Sequence, residues 1–195
     1  MIALCQPVGE MGGVLSIHLR SYAADLLNAV DEAVTMGRSS GAAIHISHLR
    51  MADPSTWGLA EEVLGRIDRA RQQGIDVTFD VYPYTVGCAP LFCLIPAWAQ
   101  AGGPESVLNR LRDDQLCDQI KADMDSWNLD WSNYSLSNAA DEKYHIWEGQ
   151  PLSEAALTLN MDVPTLLMDI LLKTGLDSTI IAAGGNETDN LTMLK

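Results

Sequence analysis

The residues best suited to chemistry in this chain are histidines and arginines that recur in one short context. The triplet His-Leu-Arg begins at His18 and again at His48, each time at the end of a short apolar, β-branched run. Side chains alternate between the two faces of a strand, so each histidine shares a face with the arginine two positions later, Arg20 or Arg50. If the two strands are parallel neighbours joined by a helix, these side chains converge at the rim where α/β sheets and barrels carry out their chemistry.

Two imidazoles at neighbouring strand ends predict a metal site. Neutral imidazole is a common ligand of zinc and similar ions, and the sheet would hold His18 and His48 in place. The alternative is that both only pack, which is the commoner fate of a single strand histidine. His45 lies three residues from His48 and should face the opposite way, into packing between strand and helix, so we interpret it as structural. We interpret His145, in a polar segment, as a surface residue.

Arginine and tyrosine side chains near the same rim are candidate substrate-binding groups. Arg20 and Arg50 carry planar guanidinium groups that suit bidentate binding of a carboxylate, although a salt bridge to an acidic neighbour is an equal alternative in so acidic a chain. Tyr82 and Tyr84 share a strand face, where their hydroxyls would orient a carbonyl, stabilise an oxyanion or simply pack. The set is incomplete, because a catalytic metal needs a third protein ligand and a general base, and no Asp or Glu stands out as that base.

The pattern of apolar residues predicts the elements that would position these groups. A βαβαβ order with helical crossovers implies a parallel sheet. Its strands are expected at 14–19, 42–49 and 75–84, with amphipathic helices from residue 21 to the Ser39-Ser40-Gly41 breaker and from 56 to 73.

Beyond the third strand the regular pattern is lost and then returns. Residues 85–103 are predicted to form a loop or lid, and the polar, aromatic stretch 127–149 an excursion away from the sheet. Periodicity resumes in a helix opened by Asp162 and in a fourth strand at 178–183.

Composition excludes several classes of protein. The 195 residues are 47% hydrophobic, enough for a substantial core, and carry a formal net charge of −14 with a pI near 4.4, which would repel the phosphates of nucleic acid or an anionic membrane. No apolar run approaches the roughly 20 residues that span a bilayer, and Met1–Cys5 does not have the form of a signal peptide. The four cysteines show no CxxC spacing, so free thiols in a reducing cytoplasm are expected.

Several of these segments together resemble one enzyme family. They are similar, in order and spacing, to the N-acyl-D-amino-acid deacylases (D-aminoacylases) of the amidohydrolase superfamily, and the similarity extends across residues 12–195. The segments that carry it are the run from Gly12 to Arg20, the His-Leu-Arg-Ser-Tyr opening of the first helix, Ile-His-Ile-Ser-His-Leu-Arg at 44–50 and Asp-Val-Tyr-Pro-Tyr at 80–84.

The resemblance implies a fold and roles for the candidate residues. His18 and His48 would be zinc ligands from the fifth and sixth strands of a (β/α)8 barrel. Arg50, Tyr82 and Tyr84 would bind the substrate, a small-molecule N-acyl-D-amino acid. The metal would activate water and polarise the amide carbonyl.

The expected fold class is α/β: a partial (β/α)8 TIM barrel of the metal-dependent amidohydrolase type, with an α-rich insertion. Residues 1–84 would form βα units, 85–148 the insertion or lid, and 149–195 further barrel helices and a strand. The family's other metal ligands should precede residue 1 and its catalytic Asp should follow Lys195, so the chain is expected to be the middle of a longer enzyme and inactive alone. The alternatives are a non-catalytic barrel-derived interaction module and another amidohydrolase, such as a dihydroorotase-like cyclic amidase.

Overall fold

The structure is a computed structural model that describes all 195 residues, which form two compact units. Unit 1 comprises Met1–Thr85 and Gly184–Lys195, and unit 2 comprises Val86–Ala183. The α-helices are α1 (Ile2–Glu10), α2 (Leu26–Ser40), α3 (Ala60–Gln72), α4 (Ala97–Gln100), α5 (Pro104–Arg110), α6 (Asp114–Ser126), α7 (Leu152–Thr158), α8 (Val163–Lys173) and α9 (Glu187–Met193). The strands are β1 (Val14–Ile17), β2 (Ala43–Ile46), β3 (Val77–Phe79), β4 (Val86–Pro90), β5 (Tyr134–Ala139) and β6 (Ser178–Ala183). Short 3-10 helices cover Pro54–Thr56, Leu91–Leu94, Trp131–Asn133 and Glu142–Trp147.

None of these helices alone is long and apolar enough to cross a membrane. Only α7 and α8 taken together, bent by 93° at the break between them, reach that length and composition.

Unit 1 is built on a parallel sheet of three strands in the order β1-β2-β3. Ile17 pairs with Ile46, and Ile46 pairs with Phe79, so the three strands end at the same edge. The two crossovers run through α2 and α3. The parallel βαβαβ arrangement predicted from the sequence is therefore present, with strands shorter than predicted.

The two faces of this sheet differ in polarity. Ile44 and Ile46 are fully buried, whereas His45 between them is partly exposed, as the period of two along a strand requires. The buried face packs on apolar side chains of α2 and α3, among them Val30, Ala33, Val63 and Ile67. The other face carries the polar row of paired residues Ser16, His45 and Thr78.

Two further helices, α1 and α9, complete unit 1; the sequence pattern predicts the second of them, from Asn186 to Lys195, but not the first. In α1, Gly9 lies so close to the end of α2 that a Cβ there would be 2.0 Å from the Ser40 carbonyl oxygen. In α9, Asp189 is 3% exposed, and its carboxylate accepts hydrogen bonds from the Gly58 N–H (2.8 Å) and the Ala60 N–H (3.3 Å). The carboxylate therefore satisfies backbone donors at the start of α3 that have no partner within the helix.

Unit 2 contains an antiparallel sheet in the order β4-β6-β5, with α4 to α8. Two of its strands lie where the sequence pattern predicted irregular chain: β4 within the expected loop or lid, and β5 within the expected excursion. The core joins Leu136 of β5 and Ile180 of β6 to α8, which contributes Leu166, Leu167, Ile170 and Leu171. Asp162 begins α8 as predicted, and its carboxylate accepts the Thr165 N–H.

The structure corrects the predicted domain boundary at residue 149. Residues 149–195 were expected to return to the barrel, but α7, α8 and β6 belong to unit 2, and the chain rejoins unit 1 only at Gly184. The predicted fourth strand at 178–183 is a strand, yet it pairs antiparallel with β4 and β5 and not with β1–β3. An apolar strand pattern indicates burial in a sheet but does not say in which sheet, because distant residues supply the partners.

Alanine at two helical glycines, Gly37 and Gly65, should separate packing from helix propensity. A methyl group on Gly37 of α2 would lie 2.7 Å from Ile44 Cγ1 and 3.1 Å from Ile75 Cγ2, so Gly37→Ala should lower the free energy of unfolding by about 1–3 kcal/mol. On Gly65 of α3 the methyl group would meet only the end of the flexible Arg69 side chain, at 3.4 Å, so Gly65→Ala should be neutral or raise stability by up to about 1 kcal/mol. Urea unfolding followed by circular dichroism measures both; equal stabilities of the two variants would contradict the packing of α2 on β2.

Candidate metal centre

The carboxyl ends of β1 and β2 bring two histidines into contact. His18 follows β1 directly, and His48 lies just beyond β2. His18 Nδ1 is 3.0 Å from His48 Nε2, and the rings meet edge to face with their centroids 4.6 Å apart. Two nitrogens that ligate one tetrahedral zinc ion lie roughly 3–3.5 Å apart, given zinc–nitrogen distances of about 2.0–2.1 Å. The convergence predicted from the repeated triplet is therefore present.

The surroundings favour the neutral form of His18. Its pKa is lowered, first by burial and then by the charge that His48 carries when protonated. A neutral imidazole has a lone pair on one ring nitrogen, which is the form that ligates a metal. Without a metal, one of the two facing nitrogens must carry a proton and donate it to the other. The donor chemistry of the pair thus fits a cation such as zinc.

Tyr22 joins the two histidine segments, and sequence reasoning missed it. Its hydroxyl accepts a hydrogen bond from the Leu19 N–H (2.9 Å) and donates one to the Ser47 carbonyl (2.8 Å). Its ring centroid lies 4.9 Å from that of His18 and 5.2 Å from that of His48. Burial raises the pKa of the phenol, which keeps the hydroxyl protonated. Its position just after the first His-Leu-Arg triplet could have indicated a role beside His18. The apolar periodicity instead placed it in the first helix, which in the structure begins only at Leu26.

His48 has an unusual backbone conformation. Its φ of +40° lies in the left-handed region, which costs a residue with a Cβ roughly 1–2 kcal/mol. Its N–H donates to Asp80 Oδ1 at 2.7 Å. Residues held in such conformations cluster at functional sites, where the surrounding structure holds them in place.

The structure corrects the predicted surroundings of His45. Its side chain does not lie between strand and helix: it is 31% exposed on the polar face of the sheet. Nδ1 is 2.8 Å from Thr78 Oγ1, and Nε2 is 2.8 Å from Asp80 Oδ2. The hydrogen bonds from His45 and from the His48 N–H lower the pKa of Asp80. Asp80 is therefore an ionised carboxylate that contacts His45 and His48, contacts that sequence reasoning did not assign.

Two of the three predicted substrate-binding residues lie together. Arg50 Nη1 donates a hydrogen bond to the Tyr82 hydroxyl, and its guanidinium carbon lies 5.5 Å from the centre of the Tyr82 ring. Arg50 Nε is buried and has no hydrogen-bond partner, although such donors are almost always paired. Tyr84 is 65% exposed, and its hydroxyl takes no part in this group.

The remaining candidates have ordinary structural roles. Arg20 forms a two-fold hydrogen-bonded ion pair with Glu32, at 2.9 Å and 2.8 Å, which is the salt-bridge alternative weighed for it. His145 is 51% exposed in unit 2, and its Nε2 is 3.0 Å from the Ala139 carbonyl oxygen, in keeping with a surface residue.

The chain does not bring a third metal-binding side chain to the two histidines. No group of three or more His, Cys, Asp or Glu side chains is arranged to hold a metal ion. The sequence-based conclusion that two histidines leave the site incomplete agrees with this geometry.

Comparisons with curated proteins give partial matches to deacylases, while no protein-family model matches the chain. Over 81 residues the chain is 37% identical to an N-acyl-D-glutamate deacylase of Alcaligenes xylosoxydans xylosoxydans, covering 42% of this chain and 17% of that protein. Over 91 residues it is 30% identical to a D-aminoacylase of the same organism, covering 47% of this chain and 19% of that protein. The matched part of the chain thus spans about a fifth of the length of these relatives.

Solved structures of the same enzymes share the fold of the chain. A crystal structure of N-acyl-D-glutamate deacylase from Bordetella bronchiseptica, complexed with zinc and a phosphonate that mimics the tetrahedral intermediate, matches with a TM-score of 0.71 at 21% identity, covering 99% of this chain and 32% of that one. A D-aminoacylase structure matches with a TM-score of 0.67 at 21% identity, over 99% of this chain and 32% of that one. The resemblance to the N-acyl-D-amino-acid deacylases is therefore confirmed over part of their length.

Phenylalanine at position 22 should loosen the junction between β1 and β2. Tyr22→Phe leaves the Leu19 N–H and the Ser47 carbonyl without their partner, so the free energy of unfolding should fall by about 1–3 kcal/mol. Tyr84→Phe is the matched control, because that hydroxyl is exposed and unbonded, and its effect should stay within about 0.5 kcal/mol. Urea unfolding measures both variants; a Tyr22→Phe protein as stable as the control would refute the bridging role.

Proposed function

We propose that this chain is a segment of a zinc-dependent amidohydrolase that cleaves the amide bond of N-acyl-D-amino acids, and that it supplies two of the metal ligands. The observation that carries the proposal is the 3.0 Å approach of His18 Nδ1 to His48 Nε2, in a chain whose sequence is related to N-acyl-D-amino-acid deacylases. In this proposal β1, β2 and β3 with their helices are consecutive βα units of a (β/α)8 barrel, and unit 2 is an insertion into it.

His18 and His48 would hold the zinc ion through the two nitrogens that face each other. When bound, zinc lowers the pKa of a water molecule and polarises a carbonyl oxygen, which is what amide hydrolysis requires. The chain's own contribution is to favour the neutral form of His18 and to hold both imidazoles in place. Tyr22 does so by joining the two strand ends, and the paired strands below it fix their separation.

Arg50 and Tyr82 would bind the substrate. An N-acyl-D-amino acid carries a carboxylate, which a guanidinium binds through parallel N–H donors. The buried, unpartnered Nε of Arg50 is one such donor. Because the Tyr82 hydroxyl accepts its hydrogen bond from Arg50, its own proton is free to be donated to an oxygen of the substrate. Tyr84, exposed beyond this pair, is proposed as a further contact at the rim.

Turnover needs a further ligand and a general base that these 195 residues do not bring to the site. We propose that both come from sequence on either side, as the resemblance implies: a His-x-His pair before residue 1 and an Asp after Lys195. The relatives it matches are more than twice as long, which supports this division.

Zinc should bind the chain at one site that depends on both histidines. His18→Ala and His48→Ala should each weaken binding by more than about 100-fold, because even the loss of an outer partner of a metal ligand typically costs 10–100-fold. His145→Ala is the matched control, since that histidine lies in unit 2, and should bind zinc like the unchanged chain. Isothermal titration with zinc measures all four proteins. Unaltered binding by the double variant His18→Ala/His48→Ala would rule out the proposed site.

Hydrolysis should require the flanking sequence. With zinc present, the 195-residue chain should release no D-glutamate from N-acetyl-D-glutamate, because losing several members of a catalytic unit removes most of its rate. The same chain extended by the sequence that flanks it in its gene should be active on the D-substrate, inactive on N-acetyl-L-glutamate, and inactive with His48→Ala. Measurable zinc-dependent turnover by the short chain would show that the missing groups are not required.

A further inference from the structure

We propose that Asp80 is a positioning residue for the candidate metal centre: its carboxylate holds the backbone of His48 in the conformation that turns the imidazole towards His18. The inference rests on the proposed function for the role of His48 as a metal ligand. We call the hydrogen bond from the His48 N–H to Asp80 Oδ1 the clamp. It lies within unit 1 and can be tested without a metal.

The clamp arises from an interruption in the pairing of β2 with β3. In a regular parallel ladder, a residue donates its N–H to one carbonyl of the neighbouring strand and accepts from the N–H two residues further along. Asp80 donates its N–H to the Ile46 carbonyl at 3.1 Å, so its own carbonyl should accept from the N–H of His48. It accepts instead from the Leu49 N–H, at 2.8 Å. One extra residue therefore stands in the β2 segment, as in a β-bulge.

The bulge leaves the His48 N–H without a carbonyl partner. The Asp80 side chain takes the place of that carbonyl, because its Oδ1 accepts the His48 N–H at 2.7 Å. A bulge of this kind re-aims a side chain, and here it coincides with the left-handed φ of +40° at His48. The residue that is displaced from the ladder is thus the one whose imidazole meets His18.

A second hydrogen bond holds the carboxylate in turn. His45 Nε2 lies 2.8 Å from Asp80 Oδ2, and His45 Nδ1 lies 2.8 Å from Thr78 Oγ1. An ionised carboxylate can only accept a hydrogen bond, so His45 carries a proton on Nε2 and donates it to Asp80 Oδ2. Both carboxylate oxygens are then occupied, one by His45 and one by the His48 backbone, so the side chain has a single orientation.

The network is too exposed to be explained by stability alone. The side chains of His45 and Asp80 are 31% and 56% exposed, and exposed ion pairs contribute little to the free energy of unfolding. Removing the carboxylate should therefore leave the fold intact while freeing the His48 backbone. A purely structural salt bridge would have no effect on metal binding.

Three variants of the chain test the clamp. Asp80→Ala removes the acceptor, and Asp80→Asn keeps an oxygen that can accept the His48 N–H. The control Asp76→Ala removes the same charge from the other end of the β3 segment, where no side-chain hydrogen bond is made.

Zinc affinity is measured by isothermal titration, amide hydrogen exchange of His48 by NMR without metal, and folding by circular dichroism. Asp80→Ala should lose roughly 10–100-fold in zinc affinity and exchange the His48 N–H about tenfold faster or more. Asp80→Asn and Asp76→Ala should stay close to the unchanged chain in both.

Two results would overturn the proposal. The first is an Asp80→Ala protein with unchanged zinc affinity and unchanged exchange at His48; the second is an Asp80→Asn protein as impaired as Asp80→Ala, because the charge and not the hydrogen bond would then matter. Should Asp80→Ala fail to fold, Asp80→Leu, which has the shape of asparagine and no acceptor, takes its place. If the unchanged chain binds no zinc, the proposed function fails, while the exchange rates still decide whether Asp80 holds His48.

Discussion

The parallel pairing of β1 with β2 is the constraint on which the candidate site depends. His18 and His48 are 30 residues apart in sequence, and only the register that places Ile17 beside Ile46 brings them to one edge. The crossover through α2 makes that register possible, because a parallel neighbour can be reached only by a long connection. Every contact between the two imidazoles follows from this pairing.

The two faces of this sheet differ: one is buried and stabilises the fold, and the other carries polar side chains. The face with Ile44 and Ile46 is buried under α2 and α3, and it supplies the apolar contact that holds the unit together. The face with His45 and Thr78 is left polar and carries the hydrogen bonds that lead to Asp80. Because side chains alternate along a strand, one short segment serves both purposes.

The candidate histidines and arginines differ in charge and in how fully they are paired. Burial and the charge that His48 carries when protonated lower the pKa of His18, so its neutral form, which offers a lone pair, is favoured. Arg50 offers a positive charge with an unpartnered donor, whereas Arg20, one triplet earlier, is neutralised by Glu32. The two His-Leu-Arg triplets therefore bring their histidines together but leave their arginines in different surroundings, although the sequence does not distinguish them.

The sequence by itself determined the three strands of unit 1, the two helices that connect them and their parallel arrangement, since apolar periodicity reports which face of a segment is buried. It also predicted that His18 and His48 converge, as they do, because residue type and strand position suffice when two strands are parallel neighbours. Only the tertiary structure decided the roles of Tyr22 and Asp80, the place of His45, and the antiparallel partners of β6. These depend on hydrogen bonds between residues far apart in the chain, 32 residues for His48 and Asp80, and on an extra residue that shifts the ladder by one position, which local periodicity does not encode.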